Sequence, residues 1–172
     1  MRVFSLNLII LLAAILPVHA ADVFLEPNVF LAEVFEGDVP SPSFLWLKGD
    51  VKETAKEILG RNMGGLRQRY WQADGRTVWI VEEIGKTRPI TTGISVKDGA
   101  VERVQILIYR ESHGWEVRYP FFTDQFQGMT LDAERETSSR VDGISGATLS
   151  VRAIVKLVRL SLAFDQLARD GS

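Results

Sequence analysis

The dipeptide Asp98-Gly99, set between two β-branched runs, restricts the fold more than any other feature of the chain. Asp-Gly accepts the positive φ that a two-residue hairpin turn requires, so it joins antiparallel neighbours. Ile90 to Val96 precedes it. Val101 to Tyr109 follows, with Val104, Ile106 and Ile108 alternating against Arg103, Gln105 and Leu107. A period of two predicts strands. Thr77-Val78-Trp79-Ile80-Val81 is a third run of the type that suits a pleated, half-buried surface. Together the three predict an antiparallel meander.

A different period takes over at the C-terminus. Over residues 149–168, Ile154, Leu157, Val158, Leu162 and Phe164 fall on a packing face. Arg152, Lys156 and Arg159 are four and three apart and share an exposed face. A shorter helix is predicted over Val51–Leu59. Asp50 is its expected cap, Glu53 completes a capping box, and Gly60 ends it. Its buried stripe would be Val51, Ala55, Ile58 and Leu59. The expected fold is α+β, an antiparallel β-sheet packed against a long C-terminal helix and a shorter N-terminal helix. Arg110–Gly128 and Leu131–Arg140 read as loops.

A chain of 172 residues makes one domain with a sizeable core. The domain is expected over 49–172. Residues 21–48, with Pro27, Pro40 and Pro42, read as a weakly structured lead-in lying over the core. Residues 1–20 read as a signal peptide. Arg2 gives a positive start, Leu6 to Leu16 is nearly all apolar, and Pro17-Val18-His19-Ala20 puts small residues at a cleavage site. The apolar run is short for a membrane span of ~20 residues. The expected location is periplasmic or otherwise extracytoplasmic.

Composition removes several function classes. The absence of cysteine excludes disulfides, Fe–S clusters, thiolate metal sites and haem attachment through CxxCH. A net charge of −2 gives no reason to expect nucleic acid. Beyond His19 in the leader, His113 is the single histidine, so no metal site is expected. Gly143-Ile144-Ser145-Gly146-Ala147 falls one residue short of a nucleophile elbow, and no histidine follows Ser145. Gly85-Lys86-Thr87 lacks the earlier glycine of a P-loop, because Ile80 stands there.

What remains is Val141 to Thr148, just ahead of the long helix. A helix start offers unpaired N–H groups and a dipole that favours anions, so it suits a phosphate. Gly143, Gly146 and Ala147 let a bulky group approach the backbone, and Ser145 and Thr148 bring hydroxyls. On helix physics alone, a Ser or Thr there reads as an N-cap.

The run Asp142-Gly143-Ile144-Ser145-Gly146-Ala147-Thr148 resembles the flavinylation motif of the FMN-binding domain family. That family includes flavin-carrying subunits of the sodium-translocating NADH:quinone oxidoreductase and of the Rnf complex. The resemblance implies FMN esterified through its phosphate to Thr148, by an FAD:protein FMN transferase that releases AMP. Glu111-Ser112-His113-Gly114-Trp115 resembles a second family loop near the flavin: Glu111 and Gly114 match, while Ser112 and His113 replace Thr and Pro. Phe126-Gln127-Gly128 resembles a Phe-x-Gly that follows. The implied cofactor-binding set is Thr148, Asp142, Gly143, Ser145, Gly146, Ala147, Glu111, Ser112, Gly114 and Trp115. Trp115, Tyr119, Phe121 and Phe122 could wall the flavin ring, although each also suits ordinary packing. Arg118 or Arg140 could lie near it.

The function so implied is extracytoplasmic electron transfer with a membrane or periplasmic redox partner. The absence of a dinucleotide-binding fingerprint argues against direct reduction by NAD(P)H. A flavin-dependent reductase with its own substrate, and a non-redox exported binding module, are the alternatives.

Overall fold

The computed structural model describes residues 21–170, so the expected signal segment, residues 1–20, lies outside the described residues. In chain order the elements are β1 (Asp22–Val23), α1 (Pro27–Val34), β2 (Ser43–Trp46), α2 (Gly49–Leu59), β3 (Arg67–Ala73) and β4 (Arg76–Ile84). There follow β5 (Pro89–Lys97), β6 (Ala100–Tyr109), a 3₁₀ turn (Trp115–Arg118), α3 (Pro120–Thr123), a second 3₁₀ turn (Asp124–Phe126) and α4 (Thr148–Asp170). The strands form one antiparallel sheet in the order β1-β6-β5-β4-β3-β2. This is the α+β class that the patterning predicts.

Two of the meander's three hairpins turn on an Asp-Gly pair. Asp98 and Gly99 both have positive φ, and so do Asp74 and Gly75 at the tip between β3 and β4. The second turn went unread in the sequence because β3, Arg-Gln-Arg-Tyr-Trp-Gln-Ala, is too polar to stand out as a strand. The two tips touch. The Asp98 N–H donates to Gly75 O at 3.0 Å.

The lead-in is more ordered than expected. Its strands β1 and β2 form the two outer edges of the sheet, and α1 covers the face away from α4. There Phe30, Leu31 and Phe35 pack on Val78 and Leu107. Phe30 sits where β5 has no side chain, since a Cβ on Gly93 would come within 2.5 Å of the Phe30 ring. The three prolines fall at the first residue of α1 or in the loop before β2, so they interrupt no ladder.

The other face holds the main core. Trp79, Val81, Ile94, Val104 and Ile106 from the sheet meet Ile154, Leu157, Val158, Leu162 and Phe164 of α4 and Ile58 of α2. Burying each such side chain contributes roughly 1.5–3 kcal/mol. In α2 the helix begins at Gly49, so Lys48 holds the cap position without a side-chain bond and the expected capping box is not made. Gly60 ends it with φ 74°, as expected. Lys156 and Arg159 also depart from the expected solvated face. Lys156 Nζ donates to Leu59 O at the end of α2, and Arg159 bonds Arg135 O and Glu136 across the 131–140 loop.

One irregularity decides which way β6 points. Thr91 pairs with Ile108 while Thr92 pairs with Ile106, so Leu107 is an extra residue. Such a bulge reverses the alternation beyond it. Ile108, expected inside with Val104 and Ile106, lies with the α1 cluster instead, and Tyr109 turns into the main core.

Candidate functional site

Tyr109 ties the end of β6 to the start of α4. Its hydroxyl donates to His113 O at 2.6 Å and lies 2.9 Å from Ser150 Oγ. With the tyrosine proton committed to a carbonyl, Ser150 is the donor in the second bond. Burial raises the Tyr109 pKa; the Ser150 contact opposes this and Glu111 and Glu116 add to it. Gly114 fills the space beside this pair, with φ 86°. A Cβ there would stand 3.0 Å from both hydroxyl oxygens and 3.1 Å from Ala147 Cβ. The match of Gly114 to the family loop thus has a local cause: only glycine lets the 111–114 loop lie against the first turn of α4.

The motif itself forms a turn and a helix start. The Ala147 N–H donates to Ile144 O at 3.0 Å, with Gly146 between them at φ 84°. The Val151 N–H donates to Ala147 O at 2.9 Å. Ala147 therefore holds the cap position and Thr148 is the first helical residue. A threonine cap is not what this residue provides. Its exposed hydroxyl has no hydrogen-bond partner among the described residues, and neither have the N–H groups of Thr148, Leu149 and Ser150. A helix start in this condition has donors to offer.

These groups open on a cleft of about 530 Å³, lined on one side by Gly146, Ala147, Thr148, Leu149 and Ser150. Lys86, Thr87, Glu111, Ser112 and His113 line the other side. Cofactor sites commonly occupy about 300–1,000 Å³. Glu111 works within the wall. Its carboxylate accepts N–H groups from Lys86, from Thr87 at 2.6 Å and from Arg88 at 2.9 Å, and the Thr87 hydroxyl at 3.0 Å. Burial alone would raise the Glu111 pKa, but the N–H groups of Arg88, Thr87 and Lys86 outweigh it and hold the carboxyl below its usual range.

Of the ten residues singled out in the sequence, Thr148, Gly146, Ala147, Glu111 and Ser112 line this cleft together. Gly114 lies behind it. Asp142, Gly143 and Ser145 are exposed and lie outside the lining; the Asp142 N–H is held by Gln125 Oε1 at 2.7 Å. Trp115 is also outside the lining. It stacks edge-on with Tyr119, and Arg118 lies 4.8 Å from its ring and 4.4 Å from that of Phe24. Arg118 borders a separate hollow over the α1 face, where Arg76 pairs with Glu102 and Arg103 with Glu33. Phe122 is wholly buried against Phe126, Phe121 is exposed, and neither lines the Thr148 cleft. Arg140 is exposed and likewise outside it. The sequence missed Lys86 and Thr87, because a failed P-loop match was the one reading tried on them. The signal was there: a Gly-Lys-Thr tip between two strands. No group of three or more His, Cys, Asp or Glu side chains suited to a metal exists among the described residues. No helix among them is long and apolar enough to cross a membrane.

An α+β domain with an unpaired helix start, a free hydroxyl and a lysine around one cleft is of the class that holds an anionic group at a helix N-terminus. Residues 85–163 match the sequence model of the FMN-binding domain, and this stretch of the chain belongs to that family. The matched stretch runs from the Gly85 loop through Glu111, Gly114 and Asp142–Thr148 into α4. No curated protein and no solved structure matched the chain. The polar groups fit the phosphate end of FMN: helix N–H groups, the Lys86 ammonium and the Thr148 hydroxyl.

Proposed function

We propose that FMN is joined through its phosphate to Thr148 and that the protein carries electrons outside the cytoplasm. The observation that carries this reading is the Thr148 hydroxyl, exposed, without a partner among the described residues and in the lining of the cleft, within the segment that matches the FMN-binding domain. A threonine that served the fold would be bonded to it. Thr148 Oγ1 would take the FMN phosphoryl group from FAD, supplied by an FAD:protein FMN transferase. The new O–P bond replaces the pyrophosphate bond, AMP leaves, and the hydroxyl proton passes to the transferase.

The phosphodiester keeps one negative charge, which the helix start and Lys86 favour. Glu111 and Tyr109 keep the two walls of the cleft in place. Bound flavin supplies the redox chemistry, and the protein supplies position and electrostatics. A covalent tether suits a dilute carrier in a compartment poor in free flavin, where mass action would strip a reversible cofactor. The partner in this reading is a membrane or periplasmic redox protein.

Co-expression with the transferase and intact-mass measurement tests the attachment. Wild-type protein gains the mass of FMN less water, and Thr148→Val does not. Wild-type protein that stays at its apo mass beside an active transferase sinks the proposal.

A further inference from the structure

The loop Gly85–Arg88 is shaped by a side chain from just beyond the end of β6. Gly85 N–H donates to Arg88 O at 3.1 Å and closes the turn. Glu111 Oε1 then takes the N–H groups of Lys86, Thr87 and Arg88. Successive N–H groups converging on one oxygen are how a backbone binds an anion. Here the anion belongs to the protein, and its charge is compensated inside the loop.

Lys86 is what the loop turns toward the cleft. It is the one Lys or Arg in the lining, and among the described residues its ammonium has neither an ion pair nor a hydrogen bond. Opposite it lie Thr148 and the unpaired N–H groups of the helix start. Lys is a point-charge partner for phosphate. Without the loop's N–H groups, the Glu111 carboxylate would meet an anionic group uncompensated.

We propose that Lys86 contacts the phosphodiester carried at Thr148 and that Glu111 is the positioning residue that holds Lys86 against it. This rests on the attachment reading above. Neither residue needs to touch the flavin ring.

The test uses the full chain with purified transferase and FAD, and follows flavinylation by intact mass. Loss of one charge-assisted contact slows Lys86→Ala about tenfold. Lys86→Arg, which keeps the charge, recovers most of that rate. Glu111→Ala slows the reaction similarly, and Glu111→Ala in the Lys86→Ala background adds nothing, because the first residue acts through the second. In the flavinylated products, the ³¹P resonance of the linked phosphate moves in Lys86→Ala and returns in Lys86→Arg. Lys86 is exposed, so its variants keep the wild-type melting temperature.

Wild-type rate and ³¹P position in Lys86→Ala overturn the inference while leaving the attachment standing. An added loss from Glu111→Ala on top of Lys86→Ala overturns the positioning role. Wild-type protein that takes no FMN at all removes both readings together.

Discussion

At its C-terminal end α4 carries a carboxylate that water does not reach; at its N-terminal end it carries a hydroxyl that no described protein group holds. Asp165 is fully buried. It accepts Thr77 Oγ1 at 2.7 Å, and Arg169 at 2.9 and 3.0 Å. Trp79 Nε1 donates to the same Thr77 oxygen at 2.9 Å, and Arg169 reaches on to Gly75 O at 2.7 Å. The hydrogen bond that Arg169 donates to Asp165 raises the Arg169 pKa against the opposing effect of burial. Thr77, Trp79, Asp165 and Arg169 are each bonded there, although Ser161 Oγ, one turn earlier, is buried without a partner among the described residues. About 25 Å away along the helix axis, at 1.5 Å per residue, Thr148 and three N–H groups have none. A saturated polar cluster serves the fold, and an unsaturated one at the surface is available to something else.

Arg169→Ala would sharpen the contrast most. It leaves a buried carboxylate without its cation, and such losses cost about 3–5 kcal/mol. Urea unfolding measures this, and the FMN mass gain at Thr148 stays as in wild type for whatever fraction is folded. Equal damage to both ends would break the separation. Gly114→Ala comes next. A Cβ at φ 86° crowds Tyr109, Ser150 and Ala147, and strain plus crowding cost about 2–3 kcal/mol. This variant affects the cleft as well, so it loses flavinylation along with stability.

Acid acts on the cleft through Glu111. Its folded pKa lies below the usual glutamate value, so its contribution to stability is present above that value and is lost as pH falls through the depressed one. The protection factors of the Lys86, Thr87 and Arg88 amides fall over that acidic window. Protection that stays flat there removes Glu111 as the clasp of the loop. The smallest expected change is in the stability of Thr148→Val. An exposed, unbonded hydroxyl contributes within about 0.5 kcal/mol, although its loss abolishes the proposed modification. A cost of about 2 kcal/mol or more would make Thr148 part of the fold.

The sequence disclosed the parts whose chemistry is local. The Asp98-Gly99 turn, the long helix and the run before Thr148 each depend on neighbouring residues, and each stands where the pattern put it. Parts defined across the chain were not legible. The edge strands β1 and β2 are two and four residues long, too short for a period to emerge. The bulge at Leu107 appears only once β5 pairs with β6, and with it the inward turn of Tyr109. At the cleft, the Thr148 wall was readable as a motif. Its opposite wall, the Lys86 loop, required Glu111 to meet residues from another hairpin. Of the aromatic residues from Trp115 to Phe122, Trp115, Tyr119 and Phe121 stay in ring contact at the surface, while Phe122 turns into the core beside Phe126.

The placement of β1 and β2 also bears on how the chain is assembled. The meander from β3 to β6 closes through neighbouring hairpins, contacts that form early because little loop entropy opposes them. Val23 pairs with Ile108, across about half of the chain, and β2 shuts the opposite edge. The first described residues to leave the ribosome are thus among the last to find their places. Until they do, both flanks of the sheet present unpaired backbone to any neighbouring chain. In such a topology the exposure to aggregation depends on the time spent half-built as well as on the stability of the finished core.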